Sequence, residues 1–514
     1  MKKTLLSTLI FVCASPLQAK DLTILYTNDL HAKHQPYIAQ YVDEKNEIGG
    51  FANIASYVES ERKVSPSALF LDAGDYFAGS TVDSLTDGEA TIDIMNHMGY
   101  DAVSVGNHEF DYGWDNMLVR FSKAEFDILL GNVFFEDTET LVWKNPYQII
   151  EKDGVKFGVI GIHGEFAFDD TVSHEMRQNI EARDEAFYTQ KYIDQLKPQV
   201  DVVILLVHEG TPARQSSFGA SDVKRALNKD IELAKQLSGL DVLITGHAHV
   251  GTPEPIEVND TLIVSTDGYG INVGKLVLDF NEKTRTISGY NFELNTIYDK
   301  DWERHPATQK AVDKWSDVIE EATSEVIATT DELLTRSYGE SSRLGNLAAD
   351  AILARFPDSV AAFTNSGGIR EDIAAGDITL GDVINSFPFP NYPAEMTLTG
   401  EQLYSLLEHA AGLTNGVMQS SSSVYYEYNS SLPVGERIVT ATINGEPIVN
   451  SQSYRIATNN FFADGGDGFK AFASGKDRVN IPNEYLYTTV SDYLKTNNAL
   501  DNINEVRIVD SSNK

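Results

Sequence analysis

The sequence predicts an α/β protein with two domains joined by a helix. With 514 residues the chain is too long for one hydrophobic core, so two domains are expected. From Leu22 to about Phe280, short β-branched runs alternate with helix-like stretches, a pattern typical of an α/β layered domain. The second half mixes helices and strands differently, and 42% hydrophobic residues is the content of a folded, soluble protein.

Eight apolar runs predict the strands of the first half. Nearly all of them end in Asp, Asn or His beside Gly. In chain order they read LTILYTND, ALFLDAGD, AVSVGNHE, FDILLGN, KFGVIGIHG, DVVILLVHEG, DVLITGHAH and TLIVSTDG.

A charged helix is predicted between Arg304 and Thr330. Its apolar residues recur at spacings of three and four, which gives one apolar face. They are Val312, Trp315, Ile319, Ala322 and Val326. Its position between two differently patterned halves favours a domain connector. We therefore expect a first domain over residues 20–300, a linker helix over 301–330 and a second domain over 331–514.

The second domain is predicted to be mixed α/β. It opens with the amphipathic helix LGNLAADAILARF and contains strands such as YRIATNNFF. Its loops NSGGIR and ADGGDGF are rich in glycine, which allows close approach of the backbone to a ligand.

The charge of the chain narrows the classes of partner. It has 40 Lys and Arg against 76 Asp and Glu, a formal net charge of -36. Nucleic acid and anionic membranes call for a basic face, so we expect neither nucleic-acid binding nor stable membrane association. An anionic substrate would need local positive charge from metal ions or a few arginines.

The N-terminus, MKKTLLSTLIFVCASPLQAK, is typical of a secretory signal peptide over residues 1–19. It has two lysines, an apolar stretch from Leu5 to Ala14, and cleavage expected after Ala19. The only cysteine, Cys13, lies inside it, and bulky Val12 before the cysteine favours full secretion over lipid anchoring. A periplasmic or secreted protein is predicted.

Polar residues at the ends of five predicted strands form the candidate site. In an open α/β sheet such ends lie at one edge. The residues are Asp29, His31, Asp72, Asp75, Asn107, His108, Asp111, His208, His247 and His249. Mixed carboxylate, imidazole and amide ligands suit Zn, Mn or Co, and the set exceeds what one ion needs. Two ions that share a carboxylate can clamp both oxygens of a phosphoryl displacement, so metal-assisted hydrolysis of a phosphate ester is indicated.

An ordered series of motifs resembles a known family. The stretches TNDLH, LDAGD, GNHEFD, VHEG and GHAH are similar to the calcineurin-type metallophosphoesterase superfamily. Together with LGNL, NSGGIR and GGDGF they resemble the secreted 5'-nucleotidase family, over nearly the whole mature chain. Each motif alone is weak, whereas the ordered series is specific. The resemblance implies a four-layer α/β/β/α sandwich, a linker helix and a separate mixed α/β substrate-binding domain.

The resemblance also implies roles for the metal ligands. It assigns a first ion to Asp29, His31 and His249, a second to Asn107, His208 and His247, and the bridge to Asp75. Asp72 receives a supporting role. Ala32 stands where the family usually has glycine, a departure expected to change only loop geometry. The cofactors implied are two divalent ions, Zn, Mn or Co, with Mg as a further option.

His108 and Asp111 resemble the catalytic dyad of the family. An imidazolium over the phosphoryl group can stabilise developing charge, and a nearby carboxylate favours its charged form. Glu109 receives no role and is interpreted as a solvated or capping carboxylate. The remaining histidines are interpreted as structural: His34, His97, His163, His174, His305 and His409.

The second domain is expected to recognise the nucleotide. In the family, arginines here contact the substrate, two aromatic rings hold the base and an aspartate accepts from ribose. The residues that match are Arg336, Arg343, Asn365, Arg370, Phe389, Phe461 and Asp467. A surface ion pair is an equal alternative for Arg336 and Arg343. Phe387 and Phe462 would take the stacking roles if the register differs.

The function implied is an exported 5'-nucleotidase acting on small-molecule nucleotides. Nucleoside di- and triphosphates and UDP-sugars are further candidate substrates. The alternatives are a 2',3'-cyclic nucleotide phosphodiesterase with 3'-nucleotidase activity, and a nucleotide-binding protein without catalysis. The family implies a large rotation of the second domain, with the hinge near the linker helix. The sequence predicts no oligomeric state.

Overall fold

A computed structural model of the protein describes most of the chain. The described residues are 19–211, 220–413, 416–482, 484–496 and 499–513. The predicted signal peptide, with Cys13, therefore lies outside the described residues except for Ala19. None of the described helices is long and apolar enough to cross a membrane.

The first domain contains all the strands predicted for it, together with others, of which β13 and β14 are the longest strands described in the domain. The strands are β1 Ala19–Thr27, β2 Leu69–Asp72, β3 Ala102–Val103, β4 Asp127–Ile128, β5 Val133–Phe135, β6 Tyr147–Lys152, β7 Val155–His163, β8 Ile180–Ala182, β9 Val202–Glu209, β10 Val242–His247, β11 Ile256–Val258, β12 Thr261–Val264, β13 Asn272–Asn281 and β14 Thr286–Thr296. The helices are α1 Phe51–Val64, α2 Thr81–Thr86, α3 Glu89–Met95, α4 Trp114–Phe121, α5 Glu165–Thr171, α6 Glu185–Leu196, α7 Ala220–Ala226 and α8 Asn228–Gln236.

Two sheets and two helical layers form this domain. Within the described chain one sheet has the order β14-β13-β1-β2-β3-β4 and the other β11-β12-β10-β9-β7-β6. Apolar residues of both sheets, such as Ile24 and Ile204, pack in one buried cluster between them. The outer face of the first sheet packs on α1, α3 and α4, and that of the second packs on α6 and α8. The predicted α/β/β/α sandwich is thus confirmed.

Parallel pairing aligns the strand ends that carry the motifs. Strand β1 runs parallel to β2, with Thr27 opposite Asp72. Strand β9 runs parallel to both β7 and β10, and His208 lies opposite His163 and Gly246. Because parallel strands end at one edge of a sheet, the turns that follow them meet there.

The connecting helix is shorter than the sequence indicated. Helix α9 spans Pro306–Thr323, and His305 caps its N-terminus. It packs against the first domain, with Ala311 and Val312 in the cluster that covers the first sheet. Val326, which the helical spacing included, lies in a strand that pairs antiparallel with a later one. The β-branched run VIATT favours that extended structure over another helical turn.

The second domain is mixed α/β, as predicted. Its strands are β15 Val326–Thr330, β16 Ala361–Asn365, β17 Gly376–Thr379, β18 Pro393–Thr399, β19 Met418–Ser420, β20 Val424–Tyr428, β21 Ile438–Ile443, β22 Glu446–Pro447, β23 Ser453–Asn459, β24 Lys476–Asn480 and β25 Ile508–Asp510. Its helices are α10 Arg343–Arg355, α11 Leu380–Ser386, α12 Gly400–Gly412, α13 Asn460–Ala463, α14 Lys470–Ala473 and α15 Leu486–Leu494.

Two apolar clusters hold this domain together. In the described residues the main sheet has the order β19-β16-β23-β18-β24, and a second has the order β22-β21-β20-β25. One cluster joins the main sheet to α12 and the second sheet, and the other joins it to α10, α11 and α15. The strand predicted over YRIATNNFF ends at Asn459, whose side chain caps α13, so the following NFF is helical.

The two domains contact each other around the edge where the motifs lie. The Thr81 backbone N–H donates to Asn385 Oδ1 at 2.9 Å, and Ser84 Oγ donates to the Pro388 carbonyl at 2.7 Å. Lys33 is paired with Glu371 across the same boundary. The second domain therefore faces the strand ends of the first.

Candidate metal centre and nucleotide site

Asp29, His31, Asp75 and His249 form the first group of potential ligands. One ligand atom from each lies within 4.8 Å of all the others. His31 Nε2 lies 2.9 Å from His249 Nε2, and His249 Nε2 lies 3.3 Å from Asp29 Oδ1. The His247 backbone N–H donates to Asp29 Oδ1 at 2.9 Å, which orients the carboxylate. Three strand ends thus meet here.

Asp75, His208, His247 and Asn107 form the second group. Asp75, His208 and His247 satisfy the same 4.8 Å criterion, so Asp75 belongs to both groups. His208 Nε2 lies 3.0 Å from Asp75 Oδ2. Asn107 Oδ1 lies 3.2 Å from His208 Nε2 and 2.9 Å from His247 Nδ1. All seven residues predicted as metal ligands therefore lie in one place, around a shared carboxylate.

The two groups fit a pair of divalent ions. His247 Nε2 is buried without a hydrogen-bond partner among the described residues, although such groups are rarely left unpaired. Two imidazole nitrogens also face each other at 2.9 Å. Cations between these atoms would satisfy all of them, and a mixed oxygen and nitrogen donor set suits borderline ions.

Left-handed backbone positions most of these ligands. Among the described residues φ is 53° at Asp29, 46° at His31, 62° at Asp75, 73° at His247 and 51° at His249. Non-glycine residues seldom adopt such values, and they persist where surrounding contacts impose them. Each places the ligand in a sharp turn at the end of its strand or within four residues after it.

Gly106 must be a glycine because the Asp75 and His208 side chains lie close to its Cα. A Cβ at this position would lie 2.2 Å from Asp75 Oδ1 and 2.8 Å from the His208 ring. Any larger residue would displace the shared carboxylate, so glycine keeps room for the ligands.

His108 and Asp111 lie beside the ligand groups as a hydrogen-bonded pair. His108 Nδ1 is 2.7 Å from Asp111 Oδ2, and the other ring nitrogen, Nε2, is 4.0 Å from Asp75 Oδ2. Burial lowers the pKa of His108, but Asp111 and Asp75 raise it by more, so the net pKa is above the ordinary value. The His108 ring stacks on Phe389 of the second domain, with centroids 5.0 Å apart and planes at 19°.

Glu109 caps the turn over 107–110, which confirms the capping alternative, and it also has a role that the sequence did not reveal. It is fully buried rather than solvated, and its oxygens accept backbone N–H bonds from Asp75, Tyr76, Phe77 and Gly106 at 2.6–2.9 Å. Burial raises its pKa to about 8, against the lowering effect of these donors. One carboxylate thus ties the Asp75 turn to the Asn107 turn. The signal was its position beside three functional residues at a buried strand end.

Asp72 and the other histidines make contacts outside the ligand groups. Asp72 accepts from Thr27 Oγ1 at 2.6 Å and from the Gly74 N–H at 2.8 Å, which shapes the Asp75 turn. His163 contacts the Gly164 carbonyl at 2.9 Å. His34 contacts Thr91 and His305 contacts Thr308; His97 and His174 are away from the ligands. His409 Nε2 contacts the Asp467 carbonyl at 2.7 Å, a link to the substrate side.

A cavity of about 360 Å³ opens from the ligands towards the second domain. Five predicted substrate residues line it: Asn365, Arg370, Phe389, Phe461 and Asp467. The Arg370 guanidinium lies 5.0 Å from the Phe389 ring centroid, and its Nε has no hydrogen-bond partner in the described part of the chain. Burial raises the pKa of Asp467 to about 7. Tyr269 and Tyr338 also line the cavity and were not anticipated.

The other two predicted arginines differ in position. Arg336 lies behind the cavity wall, with Nη1 3.4 Å from the Tyr338 hydroxyl. Arg343 is outside the cavity lining: it is paired with Glu332 at 2.5 Å and donates to Asn504 at 2.6 Å. Arg343 follows the Ser342 N-cap of α10, which turns its side chain away from the cavity. We therefore leave Arg343 out of the proposed substrate contacts.

The neighbouring phenylalanines belong to the core. Phe387 and Phe462 are each 1% exposed and pack in the two apolar clusters of the second domain. Phe389 and Phe461 line the cavity instead, which favours them as the rings available to a ligand.

The fold and the shared carboxylate define a metallophosphoesterase. The family model for calcineurin-like phosphoesterase matches residues 22–251, and the model for the 5'-nucleotidase C-terminal domain matches residues 324–474. The chain belongs to the 5'-nucleotidase family. It is thus a metal-dependent hydrolase of nucleotides, with a small-molecule substrate.

Relatives cover nearly the whole chain. It is 30% identical over 508 residues to a protein named trifunctional nucleotide phosphoesterase YfkN of Bacillus subtilis, covering 88% of this chain and 32% of that protein. It thus spans about a third of that relative. Human 5'-nucleotidase is 26% identical, with 91% of this chain and 88% of that protein covered. The crystal structure of a 5'-nucleotidase precursor from Thermus thermophilus has a TM-score of 0.81 at 26% identity, covering 96% of this chain and 100% of that one.

Proposed function

We propose that the protein is an exported 5'-nucleotidase that releases phosphate from nucleoside 5'-monophosphates. The observation that carries this proposal is one cavity lined by potential metal ligands on one side and by aromatic and cationic side chains on the other. Two ligand groups that share Asp75 lie on one side, and Phe389, Phe461 and the Arg370 guanidinium lie on the other. Phosphate and a flat apolar base are the two parts of a nucleotide that these surfaces suit.

The metal groups would hold two divalent ions, with Zn, Mn or Co favoured by the donor set and Mg as a further option. Asp29, His31 and His249 would hold one, Asn107, His208 and His247 the other, and Asp75 both. When bound, such ions polarise phosphoryl oxygens and lower the pKa of water.

The residues of the chain would bind and orient the substrate. Arg370 would contact phosphate oxygens, Asn365 would contact the adjoining polar groups, and Asp467 would accept from ribose hydroxyls. Phe389 and Phe461 would hold the base by stacking, a contact that tolerates different bases. Arg336 would add positive charge behind the cavity wall.

His108 would stabilise charge on the transferred phosphoryl group. Its Nδ1 is held by Asp111, which leaves Nε2 directed towards the side where Asp75 lies. A protonated imidazole there would donate to a phosphoryl oxygen in the transition state. Asp111 would keep the ring oriented and favour its charged form.

Export is proposed from the N-terminal sequence. Two lysines, an apolar stretch and a small residue at the expected cleavage site support a signal peptide and a periplasmic or secreted location. N-terminal sequencing of the protein recovered from culture medium and periplasm tests this: an intact Met1 would contradict it.

The test of activity is hydrolysis by the purified protein of AMP, ATP, UDP-glucose, 3'-AMP and 2',3'-cyclic AMP. Each is measured as isolated, after exhaustive EDTA treatment, and after Zn, Mn or Co is restored. We expect AMP hydrolysis that is lost with the metal and regained with it. Activity that survives full metal removal would contradict the two-ion site, and preference for the cyclic substrate would replace 5'-nucleotidase with the cyclic phosphodiesterase alternative.

A further inference from the structure

Tyr338 places its hydroxyl beside Arg336, at the wall of the cavity that Arg370 lines. The ring lines the cavity, and its hydroxyl lies 3.4 Å from Arg336 Nη1, at the long end of hydrogen-bond distance. The Arg336 guanidinium carbon is 5.6 Å from the ring centroid. Arg370 is close enough that it, like Arg336, lowers the pKa of Tyr338, and together they outweigh the larger raising effect of burial. The phenol therefore lies in a strongly cationic corner.

The segment that carries Tyr338 is held in place from several sides. The Val417 N–H donates to the Tyr338 carbonyl at 2.7 Å. Gln419 Nε2 donates to the Ser337 carbonyl at 3.1 Å and to the Glu340 carbonyl at 2.9 Å. A side chain on a backbone so restrained loses little further freedom when it binds, which suits a positioning role.

Neither arginine is paired with a carboxylate in the described part of the chain. Arg336 and Arg370 have no carboxylate oxygen of the described residues within 4.0 Å, although the chain holds 76 acidic residues. Asp372 accepts from the Arg336 backbone N–H at 2.7 Å rather than from the guanidinium. Burial lowers the pKa of each arginine, but the neighbouring tyrosines raise it by more.

A phenol differs from a carboxylate at such a place. A protonated phenol accepts hydrogen bonds without adding a negative charge. A carboxylate would neutralise the guanidiniums and compete with an incoming phosphate. A phenylalanine would fill the same space but would accept no hydrogen bond. A tyrosine can therefore orient a guanidinium by a hydrogen bond without cancelling its positive charge.

We propose that Tyr338 is a positioning residue: it holds the Arg336 guanidinium at the wall of the cavity that Arg370 lines, so that both positive charges stay available to the phosphate of the nucleotide. The inference rests on the proposed function, because it assigns the anion to the phosphate of the same substrate. It adds a residue to the phosphate site and predicts that Tyr338 acts through Arg336.

The test compares Tyr338→Phe with the metal-loaded wild type. We expect KM for AMP to rise about five- to tenfold, since the lost bond engages a charged group, and kcat to stay within about twofold. Binding of inorganic phosphate, measured by calorimetry on the metal-loaded protein, should weaken by a similar factor. Tyr425→Phe, whose hydroxyl contacts Glu427 outside the cavity, is the matched control and should change neither value.

A double-mutant cycle with Arg336→Ala tests whether Tyr338 affects phosphate binding through Arg336. If Tyr338 acts through Arg336, phosphate affinity should fall less in the double variant than the product of the two single-variant fold-changes. Unchanged phosphate binding in Tyr338→Phe, independent effects of the two substitutions, or a fall in kcat together with the melting temperature would each overturn the proposal. The calorimetric arm does not need turnover, so it also distinguishes failure here from failure of the proposed 5'-nucleotidase activity.

Discussion

The metal side and the substrate side of the cavity are built by different means. On the metal side, five ligands lie in left-handed turns at strand ends or within four residues after them, whereas Asp467 is the one proposed substrate contact in the described residues with positive φ, at 53°. The other proposed substrate residues project from ordinary backbone: Asn365 ends β16, Phe461 lies in α13, and the rest lie in loops of the second domain. Left-handed non-glycine residues cost free energy and persist only where packing imposes them. On the metal side, the backbone conformation therefore fixes the positions of the ligands. On the substrate side, the shape of the cavity depends on side chains.

This difference leads to different consequences of mutation. A change on the metal side should lower turnover or metal content, because the ligands are shared and buried. A change on the substrate side should mainly raise KM, because each contact adds separately to binding. Four substitutions separate the two behaviours, and we order them from the largest expected effect.

Asp75→Asn should have the largest effect. Asp75 is the ligand common to both groups, and an amide cannot supply two anionic oxygens. We expect kcat to fall by about 10³-fold or more, the order of several kcal/mol of charge stabilisation. Elemental analysis should show loss of metal. Asp72→Asn in the same turn is the control, and an equal loss there would mean that the turn, not the bridge, matters.

His108→Ala should lower turnover while it leaves the metal in place. His108 contacts Asp111 and lies outside both ligand groups. We expect kcat to fall by about 10²- to 10³-fold, the usual effect of removing one transition-state donor. Metal content and melting temperature are measured together with kcat. Full turnover in this variant would remove His108 from the mechanism.

Glu109→Gln should have a smaller effect that reaches both turns. The carboxylate accepts hydrogen bonds from backbone N–H groups. In glutamine, the side-chain NH2 would face some of these N–H groups, and two donors cannot bond to each other. We expect kcat/KM to fall about 10- to 100-fold, as for residues that orient metal ligands. Unfolding free energy should fall by about 1–3 kcal/mol, measured by denaturant titration. Glu89→Gln, at an exposed ion pair, is the control; wild-type kinetics in Glu109→Gln would contradict the assignment.

Phe389→Ala should have the smallest effect on turnover and should act on KM. Loss of one stacking face is expected to raise KM for AMP about tenfold. Phe387→Ala, two residues earlier, should instead destabilise the second domain by about 3–5 kcal/mol with little direct effect on KM. Opposite results for the pair would mean that the stacking ring is Phe387.

Much of the metal side could be predicted from the sequence, because strand ends of an α/β sheet meet at one edge. The position of a ligand such as His208 can then be predicted once its strand and the end of that strand are recognised in the sequence. Capping by Glu109 was predicted, but its bonds to the Asp75 turn were missed, because those partners are backbone N–H groups, which leave no trace in side-chain identity. Helix α9 was extended too far because Val326 fits a helical spacing, while strand pairing decides its structure.

The substrate side was harder to predict, because it depends on how two domains face each other. The direction of Arg343 is set by the start of α10 and by Glu332 nearby, neither of which its motif indicates. Tyr338 was not predicted, because the contact of its hydroxyl with Arg336, two residues earlier, leaves no pattern in the sequence. Contacts between distant segments carry no local periodicity from which to infer them.

The burial of the ligands also affects how quickly metal can be exchanged. Asp29, His31 and His208 have no exposed surface, and the cavity beside them is closed on one side by the second domain. Separation of the interdomain contacts, such as Thr81 with Asn385, would widen the route by which an ion leaves. The rate of metal loss to a chelator should therefore report domain opening, and a bound nucleotide that holds the domains together should slow it.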